Sequence, residues 1–195
     1  MVHVPYPWTP LDAQAIAEII PHSLWWLSGG VAIDRWLAEQ TRSHADVDVS
    51  FLREDWRSIA ESTSARFELY GAHDGVLEKL DENLPERIHN IWMLDPRRGS
   101  WVLQLNVESG DADEWRYRRL PSIRRPWSDA VSVIEGIRTI APSVQLLWKS
   151  KEPQPKDEDD LAQVWPRLDL GERSWLRSAI STAHPDSRWV RVLGE

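Results

Sequence analysis

Two periodicities of apolar residues alternate along the chain. Thr9-Pro10-Leu11-Asp12 predicts a helix start, with Thr9 as cap, Pro10 in the first turn and Asp12 at the positive end of the dipole. That helix should run to about Ile20 and stop before Pro21. Leu24-Trp25-Trp26-Leu27, closed by Ser28-Gly29-Gly30, predicts a buried strand and a tight turn. Val31 to Gln40 places Val31, Ile33, Trp36 and Leu37 on one helical face. Asp46 to Phe51 has period two, with Asp46, Asp48 and Ser50 on one side and Val47, Val49 and Phe51 on the other, the pattern of a strand. A helix is expected over Glu54–Ser62 and strands over Arg66–Tyr70, Ile88–Leu94, Trp101–Val107 and Trp115–Leu120, with a hairpin-like loop from Asp95 to Ser100. Past Pro126 the spacing turns helical, over Pro142–Lys151, Lys156–Leu168 and Glu172–Ala183. The expected class is α+β, with a mixed core over residues 1–125 and a helical region over 126–195.

Composition narrows the function classes. With 195 residues, 42% hydrophobic and 28% charged, the chain reads as an ordinary soluble globular protein long enough to bury its own core. The absence of cysteine excludes a disulfide scaffold, an iron–sulfur centre, a zinc–thiolate site and a cysteine nucleophile. It also fits a reducing compartment, so the cytoplasm is the expected location. No apolar run approaches the ~20 residues that span a bilayer, and Met1 to Pro10 lacks the pattern of a signal peptide. The net charge of −8 argues against bulk affinity for nucleic acid or an anionic membrane and favours a cationic ligand. The 13 tryptophans run from Trp8 to Trp189 without clustering, against 2 Phe and 3 Tyr. They are expected to fill core and rim positions that phenylalanine usually takes.

Asp46-Val47-Asp48 is the most informative triplet. Two carboxylates at i and i+2 of a strand point the same way, ~6–7 Å apart at the backbone. They repel unless a cation lies between them, and a hard divalent cation prefers such oxygen ligands. The pair can hold Mg²⁺ against a triphosphate, or it can be one solvated strand face. Upstream, Gly29-Gly30 follows an apolar strand and opens a helix, where backbone N–H groups and the helix dipole suit phosphate.

Leu27-Ser28-Gly29-Gly30-Val31-Ala32-Ile33-Asp34, followed by Thr41-Arg42-Ser43-His44-Ala45-Asp46-Val47-Asp48-Val49, resembles the signature of the DNA polymerase β-like nucleotidyltransferases. Within that superfamily the chain is most similar to the aminoglycoside 2″-adenylyltransferase group. Trp115–Arg119 with Ile123–Pro126, Ala141–Lys149, Pro155–Leu161, and His184-Pro185 with Trp189 resemble later segments of the group. The resemblance implies a minimal nucleotidyltransferase fold, a mixed sheet with flanking helices. It implies that an NTP bound through Mg²⁺ passes a nucleoside monophosphate, AMP from ATP, to an acceptor hydroxyl. Asp46 and Asp48 would hold metal and serve catalysis. Ser28, Gly29 and Gly30 would meet the triphosphate. Arg42, His44, Lys149 and Lys156 match positions that either contact phosphate or brace the structure; for Lys149 the alternative is an exposed helix-end lysine.

One departure bears on catalysis. The superfamily usually supplies a third carboxylate from a later strand, and here that strand reads Leu103-Gln104-Leu105-Asn106-Val107-Glu108. Gln104 and Asn106 cannot act as bases. Glu108 is the nearest ionisable group, either a substitute catalytic acid or a residue in the loop with Ser109-Gly110. Arg116, Arg118, Arg119, Arg124 and Arg125 form a basic patch. It is expected either to bind phosphates or to pair with Asp111–Glu114 or Asp157–Asp160. The acidic run Asp157–Asp160 either attracts an amino-sugar cation or forms a favourable first helical turn. The expected acceptor is a small cationic molecule such as an aminoglycoside. The alternatives are transfer to tRNA and a degenerate nucleotide-binding module; oligomeric state is open.

Overall fold

The computed structural model describes residues 6–194, so the first half of the Met1–Pro10 segment lies outside it. The site is built on two central strands, β2 (Asp48–Leu52) and β6 (Ser100–Gly110), which pair in parallel with Asp48 opposite Gln104, Ser50 opposite Asn106 and Leu52 opposite Glu108. Side chains alternate across a strand, so this register puts Asp48, Ser50, Gln104, Asn106 and Glu108 on one face. The intervening Val49, Phe51, Leu105 and Val107 are buried on the other. A one-residue slip would exchange the two faces.

Around this pair the sheet runs β4-β3-β5-β6-β2-β1-β10-β9. Its other strands are β1 (Trp26–Ser28), β3 (Glu68–His73), β4 (Val76–Lys79), β5 (Asn90–Asp95), β9 (Val131–Ile134) and β10 (Ile137–Ile140). A short ribbon of β7 (Glu114–Arg116) and β8 (Arg124–Pro126) continues from the far end of β6. Helices α1 (Ala13–Ile19), α2 (Gly29–Leu37), α3 (Trp56–Thr63), α4 (Trp127–Ala130), α5 (Pro142–Lys149), α6 (Pro155–Val164), α7 (Leu170–Ala183) and α8 (Arg188–Gly194) complete the described residues. This is the expected α+β class, a mixed sheet with flanking helices and a helical C-terminal region. No described helix is long and apolar enough to cross a membrane.

Several local expectations are corrected. Asp12, not Thr9, caps α1, its Oδ1 accepting from the Ala15 N–H at 2.8 Å. Thr9 lies in an extended segment instead, where its N–H donates to the Trp101 carbonyl; Pro10 here precedes the helix by three residues. The apolar run at 24–27 divides, with a 3₁₀ turn at His22–Leu24 before β1. Past Pro126 the chain is not wholly helical: β9 and β10 form a hairpin, and β10 lies parallel to β1 with Leu27 opposite Thr139. Each of those strands has four residues, too few for the alternation to stand out. All thirteen tryptophans occupy core or rim positions, six buried and seven half-buried.

The helical region is tied to the ribbon by Arg125, which is 8% exposed. Its guanidinium pairs with Glu172 of α7, donates to Ser143 Oγ of α5 at 3.0 Å and lies 4.3 Å from the Trp175 ring centroid. Removing one partner of a buried pair costs about 3–5 kcal/mol, less where the other partner stays hydrated. Arg125→Met should therefore lower stability by about 2–3 kcal/mol in urea unfolding, because Glu172 is partly exposed. The exposed neighbour change Arg124→Met should cost less than about 0.5 kcal/mol.

Candidate active site

Gly29 and Gly30 let three segments converge. Gly29 has φ of +71°, and a Cβ there would lie 2.1 Å from Asp48 Oδ2. A Cβ on Gly30 would lie 2.3 Å from an Arg42 guanidinium nitrogen and 2.5 Å from the His44 ring. The absent side chains thus admit the β2 carboxylate and the Arg42–His44 segment onto the N-terminus of α2. The Gly29 N–H donates to Gln145 Oε1 of α5 at 2.8 Å, and Ser50 Oγ donates to Ser28 Oγ at 3.0 Å.

The flanking motif residues brace this arrangement. His44 Nε2 lies 2.5 Å from Asp34 Oδ2, while Thr41 N–H and Oγ1 both donate to Asp34 Oδ1. Burial raises the Asp34 carboxyl, but these hydrogen bonds, Thr41 first, bring it below its ordinary value. Arg42 pairs with Asp160 at 3.3 Å. Lys149 Nζ sits 2.5 Å from Asp157 and 3.0 Å from Asp160, with all three side chains largely buried, so Lys149 is not an exposed helix-end lysine. Asp157 also closes the first turn of α6 by accepting from the Gln154 N–H at 2.9 Å. The acidic run thus makes a helix start and holds Lys149, whose charge acts on Asp48, and Arg42, which lies beside Gly30. Lys156 is exposed in the same turn.

Asp48 Oδ1 accepts from Gln104 Nε2 at 2.7 Å and from Asn106 Nδ2 at 2.9 Å. Asn106 is itself oriented by Asn90, whose amide donates to its Oδ1 at 2.8 Å. Both known hydrogen bonds to Asp48 fall on Oδ1, leaving Oδ2 on the Gly29 side. Burial pushes the Asp48 carboxyl up; the Asn106 hydrogen bond opposes that, the charge of Asp46 adds to it, and Lys149 and Lys156 oppose it. Asp46 lies two residues before β2 begins rather than within the strand, yet within electrostatic reach of Asp48.

These groups open into a cleft of about 420 Å³, whose walls include Ser28, Gly29, Asp48 and Lys149 at one end and Glu108, Arg118 and Trp148 at the other. Asp46, Gly30, Arg42, His44 and Lys156 are not among its walls. Glu108 falls inside β6, not in a loop, and is 6% exposed, its Oε2 accepting from Trp115 Nε1 at 3.0 Å. Burial pushes its carboxyl up to about 8, against the Trp115 hydrogen bond and the charges of Arg118 and Arg119. Glu108 stands four residues beyond Gln104, ~13 Å along the strand, too far to join Asp48 at one metal ion. Among the described residues no group of three or more His, Cys, Asp or Glu could hold a metal.

Sequence reasoning did not single out Gln145, Asn90, His89 or Trp148. Gln145 and Trp148 lie one turn apart on α5, and only the sheet-to-helix packing shows that both face the cleft. Of the basic patch, Arg116 pairs with Asp111 and Glu114, Arg124 with Glu114 and Arg125 with Glu172. Arg118 and Arg119 instead line the cleft.

The fold and the glycine-flanked carboxylate define a nucleotidyltransferase fold. Comparison with known proteins agrees. Residues 20–71, the segment from before β1 through β3, match the family model described as aminoglycoside-2″-adenylyltransferase. The solution structure of the antibiotic-resistance factor ANT(2″)-Ia is similar at a TM-score of 0.56 and 16% identity, covering 87% of each chain. Its crystal structure with adenylyl-2″-tobramycin gives 0.56 and 14%, covering 87% of this chain and 93% of that one. The lincosamide antibiotic adenylyltransferase LnuA with lincomycin bound gives 0.56 and 15%, covering 83% and 99%. No curated protein matches the chain. The family model matches the segment that carries the Gly29-Gly30 and Asp46–Asp48 motifs, and at such identities the structural likeness establishes the fold.

Two outcomes check the geometry. Gly29→Ala meets both the left-handed φ and the Asp48 carboxylate, whereas Gly75→Ala meets the same φ, +74°, in open space. Gly75→Ala should cost about 1 kcal/mol, and Gly29→Ala clearly more, by thermal unfolding. Glu108 is expected to couple stability to pH. Its folded value lies above its unfolded one, so its contribution is full below about pH 4.5 and lost as pH rises towards about 8. Glu108→Gln should therefore gain on the order of 2–4 kcal/mol on the wild type between pH 4.5 and pH 8.5.

Proposed function

We propose that the protein transfers a nucleoside monophosphate, AMP from ATP, to a hydroxyl of a small molecule. The observation that carries this reading is Asp48, seated against the glycine-opened N-terminus of α2 with Asp46 in electrostatic reach. The neighbours' activities on tobramycin and lincomycin, named for those proteins, agree in class.

The residues fit a divalent cation. Asp48 Oδ2 is turned away from the two amides, and the repulsion between Asp46 and Asp48 is what a cation between them would offset. Bound Mg²⁺ would neutralise charge on the triphosphate during in-line displacement. The chain itself supplies the α2 N-terminus for phosphate, Lys149 fixed by two aspartates, and Lys156 and Arg42 beyond it. Gln104 and Asn106 hold the Asp48 carboxylate in one orientation. In the reaction the acceptor oxygen bonds to the α-phosphorus, the α–β bridging P–O bond breaks, and pyrophosphate leaves. The hydroxyl proton goes by way of a water to Glu108, the ionisable carboxyl further along the same cleft.

Asp48→Asn, and likewise Asp46→Asn, should lower transfer of label from α-labelled ATP by about 10²–10³-fold or more while thermal unfolding stays near wild type. Full turnover by either variant at saturating Mg²⁺ would remove the assignment. At pH 7 only about one Glu108 in ten is ionised. The wild-type rate should therefore climb with pH and level off above about 8, and Glu108→Gln should flatten the profile at a rate about 10²–10⁴-fold lower. The two amides in place of a third carboxylate favour one second reading, a binding module; tight ATP binding with no label transferred to any hydroxyl acceptor supports it.

A further inference from the structure

Resting on the nucleotidyl-transfer reading, we propose that the acceptor carries an oxyanion, a carboxylate or a phosphate ester, held by Arg118 and Arg119 against Trp148. The net charge of −8 belongs to the whole chain, and a cleft is governed by the charges in its own walls. At the nucleotide end, Lys149 is offset by Asp157 and Asp160. At the other end the charged groups are Arg118, Arg119 and Glu108. Glu108 is mostly the neutral acid at pH 7, so the standing charge there is positive. His89, on the same wall, is held below its ordinary value by burial and then by Arg118 and Arg53, so it stays neutral and adds no charge.

The hydrogen-bonding inventory points the same way. Among the described residues Arg118 makes no hydrogen bond and no ion pair, and its Nε is buried without a partner. Its guanidinium lies 5.3 Å from the Trp148 ring centroid, and that of Arg119 lies 4.8 Å away. Arg119 has no carboxylate partner either; it donates to the Tyr117 hydroxyl at 3.0 Å and the Trp148 carbonyl at 3.3 Å, contacts that hold it in place. The Trp148 indole N–H is also buried, directed at the Glu108 carboxyl but short of a full hydrogen bond. This end of the cleft thus presents donors that lack acceptors. A half-buried guanidinium whose Nε lacks an acceptor is under-satisfied, and a planar oxyanion matches its fork with two parallel hydrogen bonds. A polycationic aminoglycoside would bring ammonium groups, which only donate. A second hollow, of about 640 Å³, shares His89, Glu108 and Arg118, but its Arg53 and Arg116 are offset by Glu86 and by Asp111 and Glu114, so the unpaired positive charge stays at Arg118 and Arg119. Arg116, Arg124 and Arg125 are engaged with acids of the chain itself, which leaves a pocket for a small ligand rather than a stripe for RNA phosphates.

The test uses Mg²⁺, a non-hydrolysable ATP analogue and α-labelled ATP. Calorimetry first measures the analogue on the wild type and on Arg118→Gln, with equal affinity expected. Affinity about tenfold weaker for the variant would assign Arg118 to the nucleotide phosphates and overturn the proposal. No binding by the wild type would remove the nucleotidyl-transfer reading and the acceptor site with it. Label transfer is then scored on hydroxy acids, sugar phosphates, the neutral counterparts of each, kanamycin, lincomycin and total tRNA. Labelling is expected in the hydroxy acids or the sugar phosphates, and which of the two separates carboxylate from phosphate. Label entering kanamycin, lincomycin, tRNA or the neutral counterparts in preference would overturn the proposal, as would label in none. For the labelled acceptor, Arg118→Gln should raise KM by about tenfold or more, with KM for ATP unchanged and partial recovery in Arg118→Lys. Arg118→Gln should unfold near the wild-type temperature, since Arg118 makes no hydrogen bond or ion pair to lose among the described residues; an unchanged acceptor KM in that folded variant would overturn the assignment.

Discussion

The approach of Asp48 to Gly29 is the contact on which the site depends. The space a methyl group would fill at Gly29 is occupied by the carboxylate, 2.1 Å from the ideal Cβ position. Three features hold it there. β1 and β2 pair antiparallel with Ser28 opposite Asp48, the two amides of β6 fix the carboxylate from below, and Gln145 anchors the Gly29 N–H from α5. The left-handed φ at Gly29 turns the chain directly from strand into helix, so the dipole of α2 and the carboxylate of β2 meet at one point. Gly30 does the same for Arg42 and His44. A side chain at either glycine would separate the carboxylate from the helix terminus, and the pairing of negative ligand with positive N-terminus would be lost.

Charge in this acidic chain is segregated by packing. Asp157 and Asp160, read from sequence as a run that attracts an amino-sugar cation or opens a helix, are buried and bind Lys149 and Arg42. Such ion pairs lose much of their Coulomb energy to desolvation, so their consequence is positional more than stabilising. They fix α6 to α5 and keep Lys149 at a set place near Asp48 and Arg42 beside Gly30. The ribbon β7–β8 treats its arginines in the opposite way, neutralising Arg116, Arg124 and Arg125 against acids and leaving Arg118 and Arg119 turned inward. A net charge sums over both arrangements and reports neither.

What was legible in the sequence follows from range. The Gly29-Gly30 turn, the β2 alternation and the helical spacing of α5 to α7 are local patterns, and each produced an element close to the expected place. The start of α1 was misplaced because Thr9 and Asp12 are both good caps, and only the pairing of Thr9 with Trp101 across the fold decides between them. The β9–β10 hairpin was missed because its place at the edge of the sheet depends on a parallel partner more than a hundred residues away. The site was legible as a list of residues, yet its two-ended shape was not. Lys149 was open between phosphate binding and a helix end, and the burial of Asp157 and Asp160 removed the second. Glu108 was open between strand and loop, and the long β6 placed it in the strand.

The amides at Gln104 and Asn106 and the carboxylate at Glu108 belong to one rearrangement along β6. A third acid beside Asp48 would have added a like charge to a carboxyl that burial and Asp46 already push up. Two amide donors in that place relieve the charge and orient it instead. The acid on the same strand face then stands ~13 Å further on, beneath Trp115 and beside Arg118 and Arg119, where burial keeps it protonated near neutrality. On the proposed reading the cation ligands and the proton acceptor would stand apart on one strand face, with a water between the acceptor hydroxyl and Glu108. The cleft between them is lined by Arg118, Arg119 and Trp148. That arginine end, rather than the nucleotide end, is where the proposed enzyme would select its acceptor.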